Sequence, residues 1–300
     1  MINVLNENLL NANRTVNPNA EELDDINVFT LKFTLSALWN LTDESPDACE
    51  IFVRLSGVEA VFQIIDKYNQ NSNIVTKVFG LLNNIAEVKR LRSHLIKDNY
   101  VQIIVNLFNN EMEKIKDELE ALALAHGHLQ HDVPLAGVEE YDDDSDPSDD
   151  SEVEDEEDAA NNADDVKEEM PRIDIGYFAA GILSNLLLDD GPWDFQPSRN
   201  ECNNLLINAV TQWPKSISTM VAYRSFSPFI PILTRYDLPG AQMWAVYAIY
   251  HVCCVDKQYE YISMLRKQGA FELFSEIAHG DQTHPSVREV AQSVLATFEN

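Results

Sequence analysis

One short pattern recurs along this chain, and its spacing limits the folds open to it. The segments SALWNLTD (Ser36 to Asp43), GLLNNIAE (Gly80 to Glu87) and GILSNLLL (Gly181 to Leu188) align without gaps. Each reads small, apolar, apolar, variable, Asn, apolar. A fourth copy, YAIYHVCC from Tyr247 to Cys254, carries His251 in the asparagine position. Asn40 and Asn84 are 44 residues apart. A period of that length belongs to solenoids, in which no unit can bury its own apolar face and each covers its neighbour.

A second alignment supports the first. LSGVEAVFQII (Leu55 to Ile65) matches KQGAFELFSEI (Lys267 to Ile277), with Gly57 and Gly269 in register. A glycine there lets one short helix end and another begin at a steep angle. Ser45-Pro46 reads as an N-cap followed by proline at the first helical position. Ser198 with Glu201, and Ser286 with Glu289, read as capping boxes. Strand signals are weak throughout. The fold class is therefore all-α, an armadillo-like right-handed superhelical solenoid of three-helix units. Third helices are expected near 28–43, 72–88, 171–188, 240–254 and 284–298. Residues 1–27 precede this domain as a flexible segment, and the domain itself spans 28–300.

The third repeat interval is longer because an acidic run lies within it. From 132 to 169 the composition changes abruptly, and the stretch from Glu139 to Glu169 has little that is apolar and holds 18 acidic residues against one lysine, about -17 of the chain's -29. Such a segment cannot offset its own chain entropy and is expected to be disordered. It reads as a solvated insertion, tolerated because closure entropy grows slowly with loop length. Ser151, followed by Glu154 and preceded by Ser148, also suits acid-directed phosphorylation.

The net charge excludes nucleic acid, whose binding depends on Lys and Arg, and equally an anionic membrane surface. No run of about 18 apolar residues could span a bilayer, and the opening MINVLNENLL lacks the basic region and cleavage site of a signal peptide. Cys49, Cys202, Cys253 and Cys254 form no CxxC pair and read as buried free thiols. That places the chain in the cytoplasm, with the nucleus as the other reducing compartment open to it. His126, His128 and His131 read as a solvated helix end, since a structural zinc wants four converging ligands. With no Gly-rich phosphate loop, HExxH or GxSxG present, no cofactor, metal site or catalytic residue is expected.

In a solenoid of this kind the third helices line the inner groove, so function is read from their groove-facing positions. Leu31, Leu35, Leu38 and Leu41 make the apolar stripe of the first. Trp39, Asn40 and Asp43 lie off it, with Trp39 and Asp43 one turn apart. On the next, Leu81, Leu82 and Ile85 are core, while Asn83, Asn84 and Glu87 face away. Asp43 and Glu87 align in the repeat and should approach each other. Two carboxylates with asparagine amides and an indole form a receptor for a cation. An ammonium has three N–H donors, for Asp43, Glu87 and the Asn84 carbonyl oxygen, and the Trp39 face adds a cation–π wall. Two alternatives stand beside this. Asn40, Asn84 and Asn185 could grip the backbone of internal extended peptides, as in a generic armadillo scaffold. Two acids could also act as acid and base in a hydrolase, although nothing else in the groove is arranged for chemistry.

The strings LWNLTDESP (Leu38 to Pro46), VFGLLNNIAEV (Val78 to Val88), YFAAGI (Tyr177 to Ile182), VAYRSFSPFIPIL (Val221 to Leu233) and MWAVYAIYHVC (Met243 to Cys253) resemble the armadillo domain of the Zyg-eleven and Zer-one family. Its members are substrate receptors of cullin-RING ubiquitin ligases. The resemblance implies a non-catalytic module that recognises N-terminal glycine degrons, and similar small first residues. By position the family's pocket residues fall on Trp39 and Asp43 in WNLTD and on Asn84 and Glu87 in NNIAE, with Asn40 beside them. Asn83, Ser184, Asn185, Tyr247 and His251 are further groove positions. The family's leucine-rich repeats and cullin-binding box are not in this sequence, so cullin and elongin adaptors would be engaged by parts outside it. The acidic insertion departs from the family pattern.

Overall fold

The computed structural model describes residues 20–129, 173–213, 221–255 and 259–299. The acidic run and His131 lie outside these, as do the side chains of His126 and His128. Among the described residues every regular element is helical. In chain order these are α1 (Ala20–Thr42), α2 (Pro46–Arg54), α3 (Gly57–Tyr68), α4 (Ser72–Glu87), a 3₁₀ turn at Lys89–His94, and α5 (Asp98–Leu129). After the acidic run come α6 (Asp174–Leu187), α7 (Arg199–Val210), the short α8 (Ile230–Leu233) and α9 (Pro239–Tyr250), which runs into a π turn at His251–Val255. The chain ends with α10 (Tyr259–Lys267), α11 (Ala270–His279) and α12 (Pro285–Glu299).

The third helices α1, α4, α6, α9 and α12 pack one on the next in that order, which is the spine of an armadillo-like solenoid. The repeat motif explains how they stack. A side chain at Gly80, first in its motif, would lie 2.4 Å from the Trp39 ring, fourth in the preceding motif. A side chain at Gly181 would likewise lie 2.4 Å from Asn83 Oδ1. In the second and third units the small first residue thus receives the variable fourth residue of the unit before. A larger residue in place of either glycine would force the helices apart.

Several local expectations need correcting. α1 begins at Ala20, eight residues before the expected start of the helical domain. Leu31, Leu35 and Leu38 are buried, but Leu41 is 55% exposed and Thr42 takes the last place on the stripe. Leu41 projects away from α4, and Phe29 and Phe33 join it as exposed apolar side chains on this helix. The left-handed residue opening α3 is Ser56 (φ 59), not Gly57; at the matching turn it is Gly269 (φ 69). Gly57 is required for a different reason, since a Cβ there would lie 2.5 Å from the Phe52 ring. Ser198 and Glu201 do form a capping box. Ser286 and Glu289 do not, because α12 starts at Pro285 and the Ser286 N–H donates instead to Nδ1 of His284 (3.3 Å).

Candidate functional site

The last turns of α1 and α4 open side by side into a cleft of about 400 Å³. Its walls bring together Trp39, Asn40, Asp43, Asn83, Asn84 and Glu87 from the two motifs. Gly80 is what lets the Trp39 indole lie on α4, and Phe178 from α6 meets that indole edge-on, ring centroids 5.2 Å apart. The indole is therefore held between two helices. Just beyond Asp43 the chain turns at Glu44 with φ 50, a left-handed conformation that disfavours side chains other than Gly, Asn and Asp. That turn ends α1 abruptly and leaves Asp43 at the rim.

The two asparagines of α4 have different surroundings. Asn84 is buried, and its amide nitrogen donates to the Trp39 carbonyl (3.0 Å) and to Thr42 Oγ1 (3.1 Å). It braces the end of α1, so it does not face away from the helices as the pattern suggested. Asn83 is the residue that engages Glu87, donating from Nδ2 to Oε1 at 2.9 Å. The pair is i and i+4, one turn apart on α4.

Glu87 sits in the most unusual electrostatic environment of the cleft. Burial disfavours its charged form, the Asp43 carboxylate adds repulsion, and together they push its pKa up to about 7, against the opposing bond from Asn83. The backbone beneath it is fixed by Arg92, whose guanidinium donates to the carbonyl of Ala86 (2.8 Å) and to Asn185 Oδ1 on α6 (3.3 Å). Asp43 is 40% exposed, and among the described residues its one ion pair is with Arg224 at 3.4 Å.

The far wall comes from a segment that the repeat pattern did not single out. Tyr223, Arg224, Ser225, Pro228 and Phe229 line it. This segment is anchored on both sides. The Tyr223 N–H donates to Tyr261 Oη (3.1 Å), the Phe226 N–H donates to Gln268 Oε1 (3.0 Å), and the Tyr223 and Tyr177 hydroxyls are bonded to each other. Phe229 stacks on Trp244 at 5.3 Å. The readable signal was aromatic spacing: Tyr223, Phe226 and Phe229 fall three apart, with Pro228 and Pro231 flanking the last.

This wall changes the status of the remaining groove positions. Every residue of α6 from Asp174 to Leu187 is buried. Ser184 and Asn185 are therefore inside the fold, Asn185 donating to the Gly181 carbonyl (3.1 Å) and accepting from Arg92. Tyr247 and His251 are buried as well, stacked on each other at 6.4 Å. None of the four lines the cleft. A second cleft of about 380 Å³, between α4, α5 and the start of α6, contains none of the motif residues and pairs its own charges, as in Lys114–Glu111 (3.5 Å).

Comparison with known proteins places this geometry in context. The family profile described as "Protein zer-1 homolog-like, C-terminal domain" matches residues 11–131 and 160–300, passing over most of the acidic run. "Zyg eleven-related protein 1" of Caenorhabditis elegans is 26% identical over 267 residues, covering 88% of this chain and 23% of that protein. "Protein zer-1 homolog" of Homo sapiens is 24% identical over 273 residues, 90% of this chain and 28% of that one. Its Drosophila melanogaster counterpart is 24% identical over 262 residues, 87% of this chain and 29% of that one. The chain thus spans less than a third of the length of these relatives. Among solved structures, a designed armadillo repeat protein aligns over 99% of this chain at 14% identity with a TM-score of 0.27, too low to add to what the helices themselves establish. Among the described residues no helix is long and apolar enough to cross a membrane.

Proposed function

Since the chain belongs to the zer-1 homolog-like C-terminal domain family, we propose that it is the substrate-recognition domain of a cullin-RING ubiquitin ligase receptor, binding N-terminal glycine degrons in the Trp39–Glu87 cleft. The observation that carries this reading is the pair of carboxylates, Asp43 and Glu87, in one cleft walled by an indole and closed at its far side. A peptide's terminal ammonium donates to both carboxylates and to the Asn84 carbonyl oxygen. The raised pKa of Glu87 has the meaning expected of a site that awaits a cation: the proton it holds when empty leaves when an ammonium takes its place. Trp39 sits against the Cα of the first residue, and a glycine there leaves nothing to clash. Ser or Ala at that position should weaken binding, and Leu, Lys or Asp should eliminate it.

The alternative, a scaffold gripping internal extended peptides, needs a run of free asparagine amides along an open groove. Here Asn84 is occupied in bracing the end of α1 and Asn185 in bonds to the Gly181 carbonyl and to Arg92, and Ser184, Tyr247 and His251 are buried. The domain acts by binding alone, and ubiquitin transfer belongs to cullin and elongin partners engaged elsewhere in a full-length receptor. The deciding experiment compares a glycine-initiated peptide with its N-acetylated form by calorimetry. Acetylation should abolish binding; equal affinity for both forms would sink the terminal-amine reading in favour of the scaffold.

A further inference from the structure

The cleft already contains a cation. Among the residues lining it, Arg224 is the one Lys or Arg, and its Nε lies 3.4 Å from Asp43 Oδ2. The contact is long and single, where a committed guanidinium–carboxylate pair is bidentate and nearer 2.8 Å. The Arg224 side chain is 70% exposed, and among the described residues this is its sole ion pair. Its backbone has no such freedom. Tyr223 on one side is tied to Tyr261, and Phe226 on the other is fully buried and tied to Gln268. The wall is therefore anchored at both ends of the Tyr223–Phe226 segment, and Arg224 between them extends an exposed side chain onto the acid that a ligand's ammonium would need.

We propose that Arg224 is a built-in competitor for the ligand ammonium: it holds Asp43 in the empty cleft and is displaced when a terminal amine binds. This rests on the reading of the cleft as an ammonium site, and it adds a residue that sets the affinity threshold and that neither the repeat nor the pocket motifs contain. The physical consequence is a threshold. Every ligand must break the Arg224–Asp43 pair, so a ligand that satisfies Asp43, Glu87 and Asn84 together gains enough to do so. A lysine side chain reaching in from the middle of a peptide, with no fit beside Trp39, does not. The pair is exposed and monodentate, so the threshold is low and screened by salt.

The test uses the whole chain and a glycine-initiated hexapeptide with no charged side chains and an amidated C-terminus. Affinities are measured for the wild type, Arg224→Gln and Arg224→Lys at about 50 mM and about 500 mM salt. The glutamine variant should bind about two- to fivefold more tightly at low salt, and the gain should shrink towards none at high salt. The lysine variant should stay near wild type, because it restores the competing charge; a merely structural arginine would show neither the salt dependence nor that rescue. Equal or weaker binding by Arg224→Gln, with wild-type binding intact, overturns this proposal and leaves the ammonium site standing. Binding by Arg224→Gln alone supports it. Binding by neither protein overturns both, and the failure then lies with the ammonium site itself.

Discussion

The two halves of the inner face are built from the same motif and end in opposite states. Between α1 and α4 the fourth and fifth motif positions, Trp39 with Asn40 and Asn83 with Asn84, open onto a cleft. Between α6 and α9 the equivalent residues, Ser184 with Asn185 and Tyr250 with His251, are part of a filled interior in which Ser184, Asn185 and His251 are almost inaccessible. The difference is made by the chain's own segment after α7. Trp213 and Tyr223 pack on Tyr177, and Phe229 packs on Trp244. A solenoid groove is thus a surface only where nothing from the same chain occupies it. Here the chain occupies the C-terminal part and uses the edge of that filling as the wall of the N-terminal site.

The strongest way to break the comparison is to remove the filling. Phe229 is 2% exposed, stacked on Trp244 and adjacent to the cleft. Phe229→Ala should destabilise the domain by about 3–5 kcal/mol, the usual range for a buried Phe truncated to Ala. It should also weaken peptide binding by loosening the wall. Chemical denaturation checks the first and calorimetry the second. A loss of under about 1 kcal/mol would mean the aromatic filling is a loose cover, and the two halves of the groove would be more alike than they look.

The next effect belongs to the open half alone. Asp43→Ala and Glu87→Ala should each cost about 2–5 kcal/mol of peptide affinity, the range for truncating one partner of a desolvated charged hydrogen bond. Neither should lower stability as Phe229→Ala does. Removing Glu87 also removes a carboxylate held unfavourably in the fold, so that variant should melt no lower than wild type. Wild-type affinity in either variant would take that acid out of the site.

The helical stacking was legible because burial imposes periodicity. Leu31, Leu35 and Leu38, then Leu81, Leu82 and Ile85, are core as their spacing implied. The two acids were legible because they lie off the apolar stripe and align with each other in the repeat. What was not legible depends on long-range placement. Nothing local tells that Asn84 turns its amide to the Trp39 carbonyl 45 residues earlier. Nothing local tells that Asn185 is sealed in by a segment following the next helix. Leu41 fails for a related reason, because the stripe alternates between three- and four-residue steps and only packing decides whether Leu41 or Thr42 closes it. Arg224 carried no repeat signal, since its role comes from where a non-repeating wall meets Asp43.

Titration separates stability from binding at one residue. The folded-state pKa of Glu87, pushed up to about 7, lies above the ~4.3 of an ordinary glutamate. Between those values the folded protein holds a proton that the unfolded chain has released. Stability therefore falls as pH rises through this window and levels off above about 7. Affinity should run the other way, increasing as Glu87 becomes a carboxylate and declining above about pH 8 as the peptide amine loses its proton. Urea midpoints and peptide affinities across about pH 5 to 9.5 give both curves. Glu87→Gln should flatten the acid limb of each and leave the alkaline decline. An acid limb that persists in this variant would assign it to another group.

The smallest effect is expected from the longest insertion, which lies between the open and the filled halves. Helices α5 and α6 pack directly on each other, and Ile173, just before α6, is fully buried. The two ends of the connection are therefore held by the core and not by what runs between them. Replacing 132–169 with about ten Gly and Ser residues shortens the loop between Leu129 and Asp174, which by closure entropy favours folding by about 1 kcal/mol. Loss of the -18 that 132–169 carries (19 acidic residues against one lysine) relieves self-repulsion in the same direction. A melting temperature higher by about 2–4 °C is the expected sum. Peptide affinity should change less than about twofold at physiological salt, where charges further than about 8 Å are screened. A drop of more than about 5 °C, with binding of a hydrophobic dye, would mean that the acidic run covers part of the solenoid. The chain would then fill its own groove on the N-terminal side as well, and the contrast between the halves would be one of degree.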